Sequence, residues 1–159
     1  MKKTEYIINE QLSVSLPEGF GQLSEEERSQ LHFIEDGEGK IFSDPERHMI
    51  VSIGWKKVNG LAALILSSKD LIRNTEASIN KAMEAYSYKL EGFLSRNVGS
   101  HKTEGFSYVY ETQGVKMYAE TLTLKYKKTF FYLYLYTRKE LKNNSQAVWL
   151  DILESCQWK

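Results

Sequence analysis

The sequence predicts an α+β fold, an α/β/α sandwich around a central antiparallel sheet. Three observations carry this reading. A long apolar stripe at helical spacing runs from Ile72 to Phe93, three alternating segments joined by tight turns follow between 105 and 136, and a second amphipathic stretch closes the chain. The last of the three alternating segments, KTFFYLYLYTR (128–138), sends Phe131, Leu133 and Leu135 to one side and Phe130, Tyr132, Tyr134 and Tyr136 to the other. A strand that is apolar on both faces belongs inside a sheet covered on both faces. The tyrosines keep a polar tip, which suits a layer whose outer edge is wet.

Taken in order, QLSVSLP (11–17) alternates Leu12, Val14 and Leu16 against polar neighbours, the period of a half-buried strand, and Pro17 ends it. Ser24 stands three residues before Glu27, the spacing of a reciprocal capping box, which predicts a short helix to about Gln30. EDGEGK (35–40) reads as an acidic turn leading to a short strand at Ile41 and Phe42. HMIVSIGWKK (48–57) is a strand by its β-branched and aromatic content, with Met49, Val51, Ile53 and Trp55 on one face. Asn59-Gly60 is a hairpin signal, so LAALIL (61–66) reads as the returning strand, although its alanines and leucines also suit a helix.

From Ser67 the period changes. Ile72, Thr75, Ile79, Ala82, Met83, Tyr86, Leu90 and Phe93 recur at three and four, with Ser67 and Asp70 as the N-terminal cap and Gly92 as the stop. GFSYVYET (105–112), VKMYAETLTLKY (115–126) and the aromatic segment then form a meander, turned at Gln113-Gly114 and at YKKT. The last helix starts near Ser145 and places Trp149, Ile152, Leu153 and Cys156 on one seam.

At 159 residues, with two prolines and no low-complexity tract, the chain is expected to fold as a single domain spanning 1–159. Lys and Arg balance Asp and Glu at 21 each, which argues against nucleic acid, whose binders need a basic excess. The local basic group Lys125, Lys127, Lys128, Arg138, Lys139 and Lys142 reads as a solvated turn and strand end. LAALIL is far shorter than the ~20 residues of a membrane span. The start MKKTEYIINEQ lacks the apolar stretch of a signal peptide, and the single Cys156 makes no internal disulfide, so a cytoplasmic location is expected unless a signal has been removed.

No constellation in the sequence points to chemistry. His32, His48 and His101 are far apart and form no ligand motif, so no metal is expected. Cys156 faces an apolar seam with no cation beside it and reads as an inert packed thiol. The run Glu25–Glu27 complements a helix N-terminus, and the acidic turn at 35–38 lacks the oxygen spacing of a calcium loop. No phosphate-binding loop or nucleophile elbow is present, so neither a catalytic residue nor a cofactor is expected. SDPERH (43–48) is a polar loop ending on a strand, placed to rim a pocket with Trp55 and the tyrosines, and ordinary loop chemistry explains Asp44-Pro45 equally well.

The segment order resembles the PsbP-like fold: a first strand ending in LPEGF, HMIVSIGWKK before a long helix, SYVYETQGVKMYAE with a second aromatic strand, and a last helix ending ILES. The resemblance covers about residues 12–158, and the order of the segments carries it. It implies an α/β/α sandwich shared with PsbP of photosystem II, the Ran-binding import factor Mog and Eag-type secretion chaperones, and it carries no catalytic motif. Two functions follow as expectations. The first is a non-enzymatic binding or adaptor domain whose partner is another protein, with Tyr and Trp as interface anchors. The alternative is a carrier or enzyme for a small apolar or aromatic ligand, in a cleft lined by Trp55, Tyr108, Tyr118 and Tyr132.

Overall fold

The computed structural model describes residues 2–29, 38–57, 61, 65 and 67–159. A seven-stranded antiparallel sheet lies at the centre, in the order β3-β4-β5-β9-β8-β7-β6. Its strands are β3 (Gly21–Gln22), β4 (Glu38–Asp44), β5 (Met49–Lys57), β6 (Lys89–Val98), β7 (His101–Thr112), β8 (Val115–Tyr126) and β9 (Thr129–Arg138). Helix α2 (Ser68–Ala82) covers one face. The other face carries helix α3 (Lys142–Glu154) together with a second antiparallel sheet of β1 (Lys3–Ile8), β2 (Leu12–Pro17) and β10 (Gln157–Trp158), ordered β1-β2-β10. The expected α/β/α sandwich is present, and one outer layer also holds this small sheet.

Strand register decides which side chains share a face. Ile50, Tyr136, Ala119 and Tyr108 lie abreast across β5, β9, β8 and β7 and face α2, whose Ile72 and the following Met83 pack onto them. One residue along, Val51, Leu135 and Glu120 lie abreast on the opposite face, against Trp149, Ile152 and Leu153 of α3 and Leu12, Val14 and Leu16 of β2. β9 is the central strand the alternation predicts. Phe131, Leu133 and Leu135 are buried on one side, and on the other Tyr136 is buried while Tyr132 and Tyr134 are half-buried. Gly54 of β5 stands directly opposite Tyr132.

Capping follows the sequence closely. Ser24 and Glu27 exchange backbone–side-chain hydrogen bonds of 3.0 and 3.2 Å and open α1 (Glu25–Ser29), and the Ser67 hydroxyl accepts from the Asp70 amide at 3.1 Å to open α2.

Two expectations need correction. The described residues of LAALIL, Leu61 and Ile65, are helical rather than part of a returning strand, and β4 and β9 occupy both edges of β5. Asn59-Gly60 and the acidic turn at 35–37 lie outside the described residues. The apolar stripe does not continue as helix to Phe93. After a 3-10 turn at Glu84–Tyr86, Ser87 adopts φ 57° and the chain enters β6. A bulge between Leu90 and Gly92 lets Leu90 pair with Tyr108 and Phe93 with Phe106, so residues three apart share one face of a strand. That spacing imitates a helix turn, and it hid the strand. The outer strands β1 and β10 were not anticipated either: β1 has a single fully buried residue, Ile8, and β10 is two residues long.

The β6–β7 turn packs on the end of α3. Gly99, at φ +61°, donates its amide to the Leu153 carbonyl at 2.9 Å, and a Cβ there would lie 2.3 Å from the Cys156 carbonyl oxygen. Gly114, at φ +78° in the β7–β8 turn, has open space around it. Gly114→Ala is therefore expected to cost about 1 kcal/mol through backbone conformation alone. Gly99→Ala adds displacement of a packed backbone and is expected to cost at least about 2–3 kcal/mol. Urea midpoints of the two variants check this, and equal shifts would contradict the packing.

Candidate functional site

The four aromatic residues singled out in the sequence do not share a face. Trp55 and Tyr118 project toward the α3 side and Tyr108 and Tyr132 toward the α2 side, as their cross-strand partners require. Tyr108 and Tyr118 are each 1% exposed, whereas Trp55 and Tyr132 are half-buried. Tyr108 sits in an aromatic layer beneath α2, with ring centroids 4.9 Å from Tyr88, 5.7 Å from Tyr110 and 5.8 Å from Phe106. Burial pushes the hydroxyls of Tyr108, Tyr110 and Tyr136 above the usual phenol range. Tyr136 donates to the Tyr108 hydroxyl within this layer.

On the opposite face Tyr118 belongs to a buried polar cluster that the sequence reading missed. Glu120 of β8 is wholly buried. One carboxylate oxygen accepts from Arg96 Nε at 2.8 Å and Trp149 Nε1 at 3.0 Å, the other from Arg96 Nη2 at 3.2 Å and the Tyr118 hydroxyl at 3.0 Å. Lys142 of α3 lies over the Tyr118 ring at 4.7 Å. Beside the cluster, the hydroxyls of Thr137 and Ser145 lie 2.7 Å apart. Four donors saturate the carboxylate, so the cluster ties α3 to the sheet and leaves no lone pair free for a ligand. The available signal was an acid at a core position, between Tyr118 and Leu122 on one face of an apolar strand.

Two clefts lie at one end of the sheet, around the loop 44–48. On the α2 side a cleft of about 290 Å³ has Met49, Ile50, Tyr110, Met117 and Tyr136 along its walls, with His48 and Arg138 among its polar residues. On the α3 side a second cleft of about 300 Å³ lies between Arg47, Met49 and the helix residues Asn144, Ser145 and Val148. The loop between them is tightly held. Asp44 accepts from the backbone amides of Glu46 and Arg47 at 3.1 and 3.3 Å and pairs with the Arg47 guanidinium, which also donates to the Glu18 carbonyl at 3.0 Å. The SDPERH loop thus does rim a pocket, with Tyr110 and Tyr136 rather than with Trp55, which lies toward the far end of β5. Sequence alone could not select those tyrosines, because the pairing of β5 with β9 is what brings Ile50 beside Tyr136.

His48 and His101 lie in separate parts of the fold, His48 in this loop and His101 against the rings of Tyr126 and Trp158 at 5.4 and 5.3 Å; His32 lies outside the described residues. Among the described residues no three His, Cys, Asp or Glu side chains converge as a metal site. Cys156 is buried, and burial pushes its thiol up to about 12, which keeps it protonated and a poor nucleophile near neutrality. The Ser24 amide holds the Glu27 carboxyl below its usual range, as a capping acid requires. No described helix is long and apolar enough to cross a membrane.

No protein-family model matches the chain, and no curated protein matches it in sequence. Solved structures do match. The cyanobacterial PsbP (CyanoP) of Synechocystis sp. PCC 6803 superposes with a TM-score of 0.69 at 13% identity, over 99% of this chain and 92% of that one. The Ran-binding protein Mog1p of Saccharomyces cerevisiae gives 0.59 at 9% identity, over 99% and 95%. LpqN of Mycobacterium tuberculosis, described as involved in cell envelope biogenesis, gives 0.59 at 11% identity, over 99% and 91%. The fold is PsbP-like, as the segment order indicates, and identities this low establish the fold alone.

Proposed function

We propose that this chain is a non-enzymatic binding module that docks onto another protein through the end of the sheet where loop 44–48 meets the β7–β8 turn. The observation that carries the reading is the pair of clefts flanking one rigidly held loop. A fixed rim beside an apolar floor suits reception of a partner's side chains at low entropic cost. The buried acids Asp44 and Glu120 are engaged in internal hydrogen bonds, which supports a structural rather than a catalytic role for both. A solved structure of the same fold is described as Ran-binding, so the fold is compatible with docking on a protein. Of the four aromatic residues, Tyr108 and Tyr118 serve as packing residues in this reading, and the half-buried Trp55 and Tyr132 lie toward the other end of the sheet, outside the docking surface.

Photo-crosslinking in the native host tests this. A photoreactive residue replacing the exposed Gln113, in the turn beside the cleft, is expected to capture one defined partner. The same residue at Lys102, at the opposite end of β7, is expected not to, and Met117→Lys is expected to abolish the Gln113 crosslink. Identical capture from both positions, or none from Gln113, overturns the assignment. A second reading, a carrier for a small apolar ligand, draws on the volume of the α2-side cleft, close to the lower end of ligand sites, which start at about 300 Å³. Saturable uptake of an apolar small molecule with no crosslink from Gln113 selects it.

A further inference from the structure

We propose that the α2-side cleft recognises a chain-terminal apolar residue of the partner, its side chain on the apolar walls and its free carboxylate on Arg138. The proposal rests on the docking reading above and specifies what the partner presents. Two features of the cleft point to it. The first is size: about 290 Å³, walled by Ile50, Tyr110, Met117 and Tyr136, is room for one large side chain rather than for a helix or strand. The second is charge. Asp44, the acid that lines the cleft, is neutralised by Arg47 and two backbone amides. Glu140 is 73% exposed and 3.9 Å from Arg138, a loose surface pair with a small hold on the guanidinium. Arg138 therefore supplies the cleft's positive charge, and an arginine fork matches a carboxylate in two parallel hydrogen bonds.

A terminal residue fits this pairing better than an internal acid. Its carboxylate and its side chain branch from one Cα and enter one cleft together. Along an extended internal segment, neighbouring side chains leave on opposite sides.

The test uses the ¹⁵N-labelled full chain and N-acetyl-phenylalanine as probe, followed by amide shifts. Saturable shifts at Ile50, Val115 and Met117 with a millimolar Kd are expected, and the carboxamide analogue is expected to bind at least about tenfold more weakly. Arg138→Gln, on the surface and outside both cores, is expected to fold normally and to lose about tenfold in affinity for the acid but not for the amide. An acetylated tripeptide ending in Phe with a free carboxylate is expected to bind at least as well as the probe. Equal binding of acid and amide, insensitivity to Arg138→Gln, or exclusion of the tripeptide each overturns the proposal. If one of these occurs while the Gln113 crosslink persists, the docking surface stands and the terminal-carboxylate chemistry alone is lost.

Discussion

Glu120→Ala is expected to destabilise the fold by about 3–5 kcal/mol, the range for removing one partner of a buried ion pair. The carboxylate has no exposed surface and accepts from Arg96, Tyr118 and Trp149 at once. Its loss leaves the indole N–H and a phenol hydroxyl without their acceptor inside the core, each worth about 1–3 kcal/mol when stranded. Arg96 recovers part of its loss because its side chain is 23% exposed and reaches water, which keeps the total within that range. Glu120→Gln retains the volume and one acceptor oxygen but turns an amide N–H₂ toward donors, and about 2 kcal/mol is expected. Urea melts of Glu120→Ala, Arg96→Ala and the double variant measure the coupling. If Glu120→Ala costs less than about 1 kcal/mol, the cluster is not what fixes α3 to the sheet.

How much of this was legible in the sequence depends on the range of the interaction. Alternation and capping are local, so β2, β5, β7, β8, β9, the start of α2 and the seam of α3 could be read from neighbouring residues. β6 was lost because its bulge placed Leu90 and Phe93 on one face at a helix-like interval. β1 was lost because Lys3, Thr4 and Glu5 are exposed on an outer sheet and carry little apolar alternation. Glu120 reads as an ordinary surface acid until Arg96, 24 residues earlier, and Trp149, 29 residues later, are brought to it. The clefts were the least legible feature. The walls of the α2-side cleft come from β5, β7, β8 and β9 together, and strand order is set by long-range pairing that no window of sequence contains. The aromatic row was legible as core for the opposite reason, since two apolar faces on one strand leave it only the middle of a covered sheet.

Alkaline titration is expected to unfold the protein cooperatively, with the buried phenols ionising only as the chain opens. Tyr108, Tyr110 and Tyr136 are 1–3% exposed beneath α2, and burial raises each above the ordinary phenol value of 10.0, helped for Tyr108 and Tyr136 by repulsion from neighbouring tyrosines. The sign follows from proton counts. Below pH 10 both states hold these protons, and stability does not vary with pH on their account. Above pH 10 the unfolded chain releases protons that the folded chain retains, so stability falls as pH rises. Each such group contributes a slope of up to about 1.4 kcal/mol per pH unit, and three together about 4 kcal/mol per pH unit. Against a typical stability of about 5–15 kcal/mol, two or three pH units suffice to unfold the domain. The thiol of Cys156, held up to about 12 by burial, adds to the same trend above its ordinary value of 9.0. Phenolate absorbance and far-ultraviolet circular dichroism recorded on one sample check this. The phenolate absorbance of Tyr108, Tyr110 and Tyr136 is expected in a second step that coincides with the loss of dichroism. Tyr110→Phe removes one ionisable group and is expected to move that second step to higher pH. If all ten tyrosines titrate in one smooth step while the dichroism holds, the layer beneath α2 is open to water and the two-sided sandwich is wrong.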